Sequence, residues 1–219
     1  MASRVIHYIV GQLAAERISL KNPEDFIFGN LLPDCVDGPG GRKGAKARSH
    51  FWHYDTKNHT KGQNWHLFWD KYECHREDEL YLGYMCHLVT DAVWLRHLIF
   101  PLKKRDKDGI WSMEILYRDY HRLNELLRKD FQPAMPELIW RKNDIEEADR
   151  SVWEDFRQEL RKELREDTGA REEDLEIMRY DFILNFLQKA VNTVVEEIEA
   201  KRAQQKGRDP REFYVPDDE

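Results

Sequence analysis

Cysteine is scarce: Cys35, Cys74 and Cys86 are the only three in 219 residues. Scattered thiols of that number make no disulfide framework, and without a C-x-x-C a thiolate zinc site is not expected. No window holds 18 apolar residues, so no helix should span a bilayer. The N-terminal stretch MASRVIHYIVGQLAAERI has no basic region followed by a clean apolar core. It reads as an amphipathic helix rather than a secretion signal, which makes a cytoplasmic, reducing location the default expectation. Positive charge is in deficit, with 35 Lys and Arg against 42 Asp and Glu and a net charge of −7. That balance argues against a general nucleic-acid binder. Convincing alternating strand patterns are missing too. Histidine is absent from the last 98 residues; all nine lie between His7 and His121.

What is present is helical periodicity. Ser3 can cap a first helix running to about Ile18, and Asn22-Pro23 starts a second that Pro33-Asp34 ends. Residues 37–48 form a glycine-rich basic loop with Arg42, Lys43, Lys46 and Arg48. Helices are expected over 64–73, Glu79 to about Phe100 (closed by Pro101) and Ser112–Lys129. From Asn143 onward the pattern is helical and heavily charged, with a last long helix after Thr168-Gly169. Runs such as RQELRKELRED are solvated faces with i,i+4 pairs. The expected fold class is all-α: one multi-helix domain over 1–203, chemistry in residues 1–130, supporting charged helices over 143–203 and a disordered tail at 204–219. The charged C-terminal helices leave homo-oligomer formation open.

Two histidines stand four residues before a carboxylate on expected helices, His87 with Asp91 and His121 with Glu125. That spacing puts both side chains on one helix face, where together they can grip a cation such as zinc. About two such pairs would arise by chance at this acidic content, and four occur, including His66/Asp70 and His75/Glu79. Environment must separate them. Between Leu80 and Leu95, His87 and Asp91 are the only His, Asp, Glu, Lys or Arg residues. A helix apolar nearly all round is buried, and a buried carboxylate needs compensation. A metal ion provides it; a metal-free His–Asp hydrogen bond is the plain alternative. Gly83, one turn before His87, is expected to leave room for a ligand. His53, His59, His66 and His75 are expected to be bystanders.

In their joint order these residues resemble the zinc-dependent phospholipase C family and the related single-strand-specific zinc nucleases. The matching pieces are His7 in the first helix, F-x-x-G-N-L-L-P-D ending at Asp34, S-H-F with His50, L-G-Y-M-C-H-L-V-T-D with His87 and Asp91, then His97 and the pair His121/Glu125. The resemblance spans roughly residues 1–130. It implies an all-helical hydrolase with a zinc cluster of two or three ions, iron or manganese being possible substitutes. It also implies that Asp34, His50, His87 and Asp91 hold one zinc, that Asp91 bridges to a second site completed by His7, and that His97, His121 and Glu125 hold a third. Asp34 would act as the general base or lie beside it.

Two departures bear on this. Secreted members use a processed N-terminal tryptophan as ligand, whereas this chain opens Met-Ala-Ser, so the His7 site is expected to lack two ligands. His97 stands six positions beyond Asp91 and becomes a ligand only if the helix ends or bends. The implied activity is metal-dependent hydrolysis of phosphate esters, a phosphodiesterase or phospholipase C-like reaction on a lipid-like or small substrate, with a metal-activated water as nucleophile. The alternatives are a nuclease on single-stranded nucleic acid, with Trp52, Tyr54 and Trp94 as stacking candidates, and a non-catalytic metal-binding helical scaffold.

Overall fold

The computed structural model describes residues 1–36, 44–106 and 109–217. It is mostly helical, as the periodicity predicts: α1 (Arg4–Ala15), α2 (Pro23–Leu31), α3 (Ala45–Ser49), α4 (Trp65–Lys71), α5 (Glu79–Trp94), α6 (Phe100–Arg105), α7 (Met113–Phe131), α8 (Trp153–Glu163) and α9 (Tyr180–Arg202). Of the basic loop, Arg42 and Lys43 lie outside the described residues, while Lys46 and Arg48 belong to α3.

The axis of the molecule is α5, in which every residue is buried. Asp78 caps it by accepting from the Leu80 N–H. Against it pack α1, α2 and α9, whose apolar faces join one hydrophobic cluster. The α2–α5 contact is backbone on backbone. A Cβ on Gly83 would run into the Phe26 carbonyl oxygen, and one on Gly29 into that of Leu80. Gly83 therefore makes room for a helix and not, as its position suggested, for a ligand.

Four stretches depart from expectation, each for a local reason. First, α5 does not run on to Phe100. Leu95–Ile99 winds as a π-helical turn in which the Phe100 N–H reaches the Leu95 carbonyl, and α6 follows. Pro101 then falls in the first turn of a helix, where its missing N–H and fixed φ are tolerated. Second, the helix expected from Asn143 begins only at Trp153. Asn143 Oδ1 accepts from the Ile145 N–H at 3.1 Å, and the Tyr72 hydroxyl takes the Glu146 N–H at 2.9 Å. These side chains satisfy the backbone in a non-helical path. Third, the last helix starts at Tyr180 because the buried Asp119 carboxylate accepts the N–H groups of Glu176, Ile177 and Met178, each at 2.9 Å.

The fourth is the expected disordered tail, which is ordered through residue 217. A 3-10 turn at Pro210–Phe213 leads to β3 (Val215–Pro216). It joins β1 (Trp52–Asp55) and β2 (Thr60–Gln63) in a small antiparallel sheet, with Trp52 opposite Gln63 and Lys61 opposite Val215. Phe213, Tyr214 and Val215 are buried. Glu197 ties the tail down: one carboxylate oxygen accepts the Arg208 N–H at 2.6 Å and the other the Trp65 indole N–H at 2.9 Å. Strands of four residues or fewer with mixed polarity leave no alternation long enough to detect. If the tail is part of the core, Phe213→Ala should lower the free energy of unfolding in urea by about 3 kcal/mol, where a loose tail would give no measurable change.

Candidate metal centre

Four separate pieces of chain deliver the polar core. His7 lies on the buried face of α1, whose N-cap Ser3 accepts from the Ile6 N–H at 3.3 Å and donates to Asn124 Oδ1 of α7 at 2.6 Å. Asp34 ends the 3-10 turn that follows α2. His50 caps the C-terminus of α3, and Phe51 with φ 46° turns the chain out of the helix. His87 and Asp91 stand one turn apart on α5. The structure brings these five residues together. His7, His50, His87 and Asp91 are fully buried, and Asp34 is the most exposed at 8%.

The two oxygens of Asp91 face different imidazoles. Oδ1 lies 3.3 Å from His7 Nε2, and Oδ2 lies 3.4 Å from His50 Nε2 and 3.8 Å from His87 Nε2. Asp34 Oδ1 is 3.5 Å from His50 Nε2. His7 and His87 stack face to face with ring centroids 3.5 Å apart.

Which nitrogens carry protons follows from the backbone. His87 Nδ1 lies 2.8 Å from the Asn30 carbonyl oxygen, and His50 Nδ1 lies 2.8 Å from that of Lys46. A carbonyl can only accept, so in the neutral rings both Nδ1 atoms are the protonated ones. Both Nε2 atoms are then bare, and they face one another at 3.1 Å. Around them stand carboxylate oxygens, acceptors again. Asp91 Oδ2 and both nitrogens of His7 have no hydrogen-bond partner, and Asp34 Oδ1 has only the Lys46 ammonium at 3.0 Å. Buried polar atoms without partners are rare and costly, and here they converge. Divalent cations would offer these atoms a partner, and the donor set of imidazole nitrogens and carboxylate oxygens suits zinc. Two overlapping groups have ligand atoms close enough to share an ion, His50/His87/Asp91 and His7/Asp34/His87.

Electrostatics keeps the donors in their ligand forms. Burial pushes the Asp34 carboxyl up, but the Lys46 charge and the nearby imidazoles hold it well below the usual carboxylate range. Burial acts the same way on Asp91, and His7 outweighs it. Burial and the neighbouring His7 hold His87 well below its ordinary value, as a neutral imidazole.

The other three expected ligands are placed elsewhere. His121 is exposed and faces Glu166 at 3.3 Å. Glu125 is buried, but it binds Lys129 and accepts from the Thr168 backbone N–H at 2.6 Å and the Thr168 hydroxyl. Their spacing is right for a shared face, yet α7 is amphipathic and turns them to its own partners. His97 rides on the π-helical turn, exposed, with its ring 6.0 Å from Phe213. The helix does distort after Asp91, but not toward the cluster. Of the residues offered for base stacking, Trp94 is fully buried against Tyr120 and Phe186.

Three contributors were not among the expected ligands. Asn30 orients His87 through its carbonyl, and its amide donates to the His7 carbonyl at 2.5 Å. Lys46 reaches Asp34. The Ala2 backbone N–H donates to Asp91 Oδ1 at 2.7 Å, so the N-terminal segment seals the His7 side. The asparagine within G-N-L-L-P-D was visible as part of a pattern, Lys46 stood in the basic loop before His50, and nothing in the sequence marked Ala2.

A model of the zinc-dependent phospholipase C family matches residues 1–165. No curated protein and no solved structure gives a match. If the five converging residues are the ligands, His87→Ala and Asp91→Ala should each weaken zinc binding by at least about 10–100-fold in a chelator competition. His121→Ala should leave the affinity unchanged.

Proposed function

The chain belongs to the zinc-dependent phospholipase C family, and from that premise we propose that it hydrolyses the phosphodiester of a lipid-like substrate at the cluster of His7, Asp34, His50, His87 and Asp91. The observation that carries this is the convergence of bare Nε2 atoms and the unpartnered Oδ2 of Asp91 in one buried cluster. Zinc, when bound, polarises the phosphoryl oxygens and activates water at neutral pH.

The protein's own groups have separable tasks. His50, His87 and Asp91 would hold one ion, with Asp34 beside them. Asp91 turns its second oxygen to His7, the arrangement a carboxylate bridging to a second ion requires. Asn30 and Lys46 carbonyls keep His87 and His50 in the ligand tautomer, as partners behind metal-bound imidazoles commonly do. Asp34, the most exposed of the five, is the group we assign to receive the proton of the attacking water. The Lys46 ammonium, half exposed beside it, is placed to attract the anionic phosphate. A cytoplasmic location goes with this reading, given three free thiols of which Cys74 is exposed. No described helix is long and apolar enough to cross a membrane.

The test is release of phosphocholine from a short-chain phosphatidylcholine by the zinc-loaded protein. His87→Ala should lower kcat/KM by about a hundredfold or more, and Lys46→Ala should raise KM by about tenfold, roughly 1.4 kcal/mol. Cleavage of single-stranded DNA with the phosphodiester lipid untouched would assign a nuclease instead. Stoichiometric zinc with neither activity would leave a structural metal site.

A further inference from the structure

A second concave site lies away from the cluster, between the π-helical turn with α6 on one side and the first half of α9 on the other. Its volume is about 470 Å³, within the range of small-molecule sites. Leu98, Leu102, Phe182 and Phe186 give it an apolar lining. His97, Arg105 and Lys189 add cationic or donor groups, and Asn185 an amide.

The charge around it is unusual for this chain. Elsewhere, arginines sit on carboxylates, as in Arg4–Glu163, Arg118–Glu176 and Arg208–Glu196. Among the described residues, Arg96, Lys103, Lys104, Arg105 and Lys189 make no ion pair. Four of them rest on aromatic rings instead: Arg96 and Lys104 on Phe100, Lys103 on Trp111, and Arg105 on Phe182 at 5.9 Å. Among the described residues, the carboxylates nearby in the chain are already engaged. Asp106 accepts the Ile110 and Trp111 N–H groups, each at 2.8 Å, and Asp181 pairs with Arg179 at 2.7 Å. In a protein of net charge −7, this leaves a local positive field over an apolar hollow. The π-helical turn, a winding that recurs at functional sites, is what carries His97 into the wall.

We propose that this pocket binds an anionic amphiphile, a single apolar tail bearing one acidic head group, at a site separate from the metal cluster. The tail would cover Leu98, Leu102, Phe182 and Phe186. The head would face Arg105 and Lys189, with His97 and Asn185 as hydrogen-bonding partners. An inorganic anion has no use for the four apolar side chains, and a neutral lipid none for the cations. A concave pocket between helices also favours a single molecule over a lipid surface.

Decyl phosphate, kept below its aggregation threshold and titrated into the zinc-loaded full chain by calorimetry, tests this. One site is expected. Lys189→Glu and Arg105→Glu, both at exposed positions, should each weaken it at least tenfold, while Lys142→Glu, another exposed charge reversal, should change it less than twofold. Decyl maltoside, the same tail with an uncharged head, should bind at least tenfold more weakly, and tenfold excess inorganic phosphate should not displace the probe. The proposal falls if decyl maltoside binds equally well or if Lys189→Glu and Arg105→Glu are without effect. It falls equally if chelating the zinc abolishes binding, which would put the probe at the metal cluster. Binding to anionic vesicles with none to the monomeric probe would make the region a membrane-docking surface and overturn the pocket assignment.

Discussion

Two imidazole nitrogens, both stripped of protons by the carbonyls behind them, face each other at 3.1 Å in the centre of this protein. Two like lone pairs at that distance repel, and the carboxylates beside them add negative charge. Nothing inside a dry core relieves such an arrangement except a proton or a cation. A proton would satisfy one pair and leave Asp91 Oδ2 and His7 without partners. A cation held by His50, His87 and Asp91, with a second beside His7, would address them. The polar core therefore fits an ion, in keeping with the zinc-dependent family whose model matches the chain.

The rest of the molecule shows what a buried carboxylate looks like when it is structural. Asp119 accepts three backbone N–H groups, Glu125 binds a lysine and Thr168, and Glu197 spans an indole and the Arg208 N–H. Each anchors a segment lacking regular hydrogen bonds of its own, and each has its oxygens occupied. Against that background the orphaned Oδ2 of Asp91 is the exception. Burial alone does not distinguish the two classes. Satisfaction does, because an unmade hydrogen bond in the interior costs about 1–3 kcal/mol.

Much of this was legible beforehand, and unevenly. The apolar run around His87 and Asp91 predicts the central helix because only an all-buried helix tolerates so few charges. The order His7, Asp34, His50, His87, Asp91 comes through from the resemblance to the zinc-dependent phospholipase C family, whereas spacing and burial alone single out only His87 and Asp91. The close approach of α2 and α5 was misread, because a glycine facing a ligand and a glycine facing a backbone look identical in sequence. The tail and the small sheet were missed because their stability is tertiary, resting on Glu197 and on the burial of Phe213. Ala2 was out of reach for the same reason, since its role exists only once distant segments meet.

The contrast between α5 and α7 takes the argument one step further. His87/Asp91 and His121/Glu125 share the same four-residue spacing, and on spacing alone they are equivalent. On α5 no exposed face exists, so both side chains must look inward and meet whatever α1, α2 and α3 present. On α7 a solvated face exists, His121 takes it, and Glu125 is captured by Lys129 and Thr168. His97 repeats the lesson after the π-helical turn, where exposure frees it from the cluster and hands it to a different pocket. The same spacing on two helices thus leads to different ends, because packing on α5 leaves one side of each residue facing the buried cluster while α7 gives both residues partners of their own.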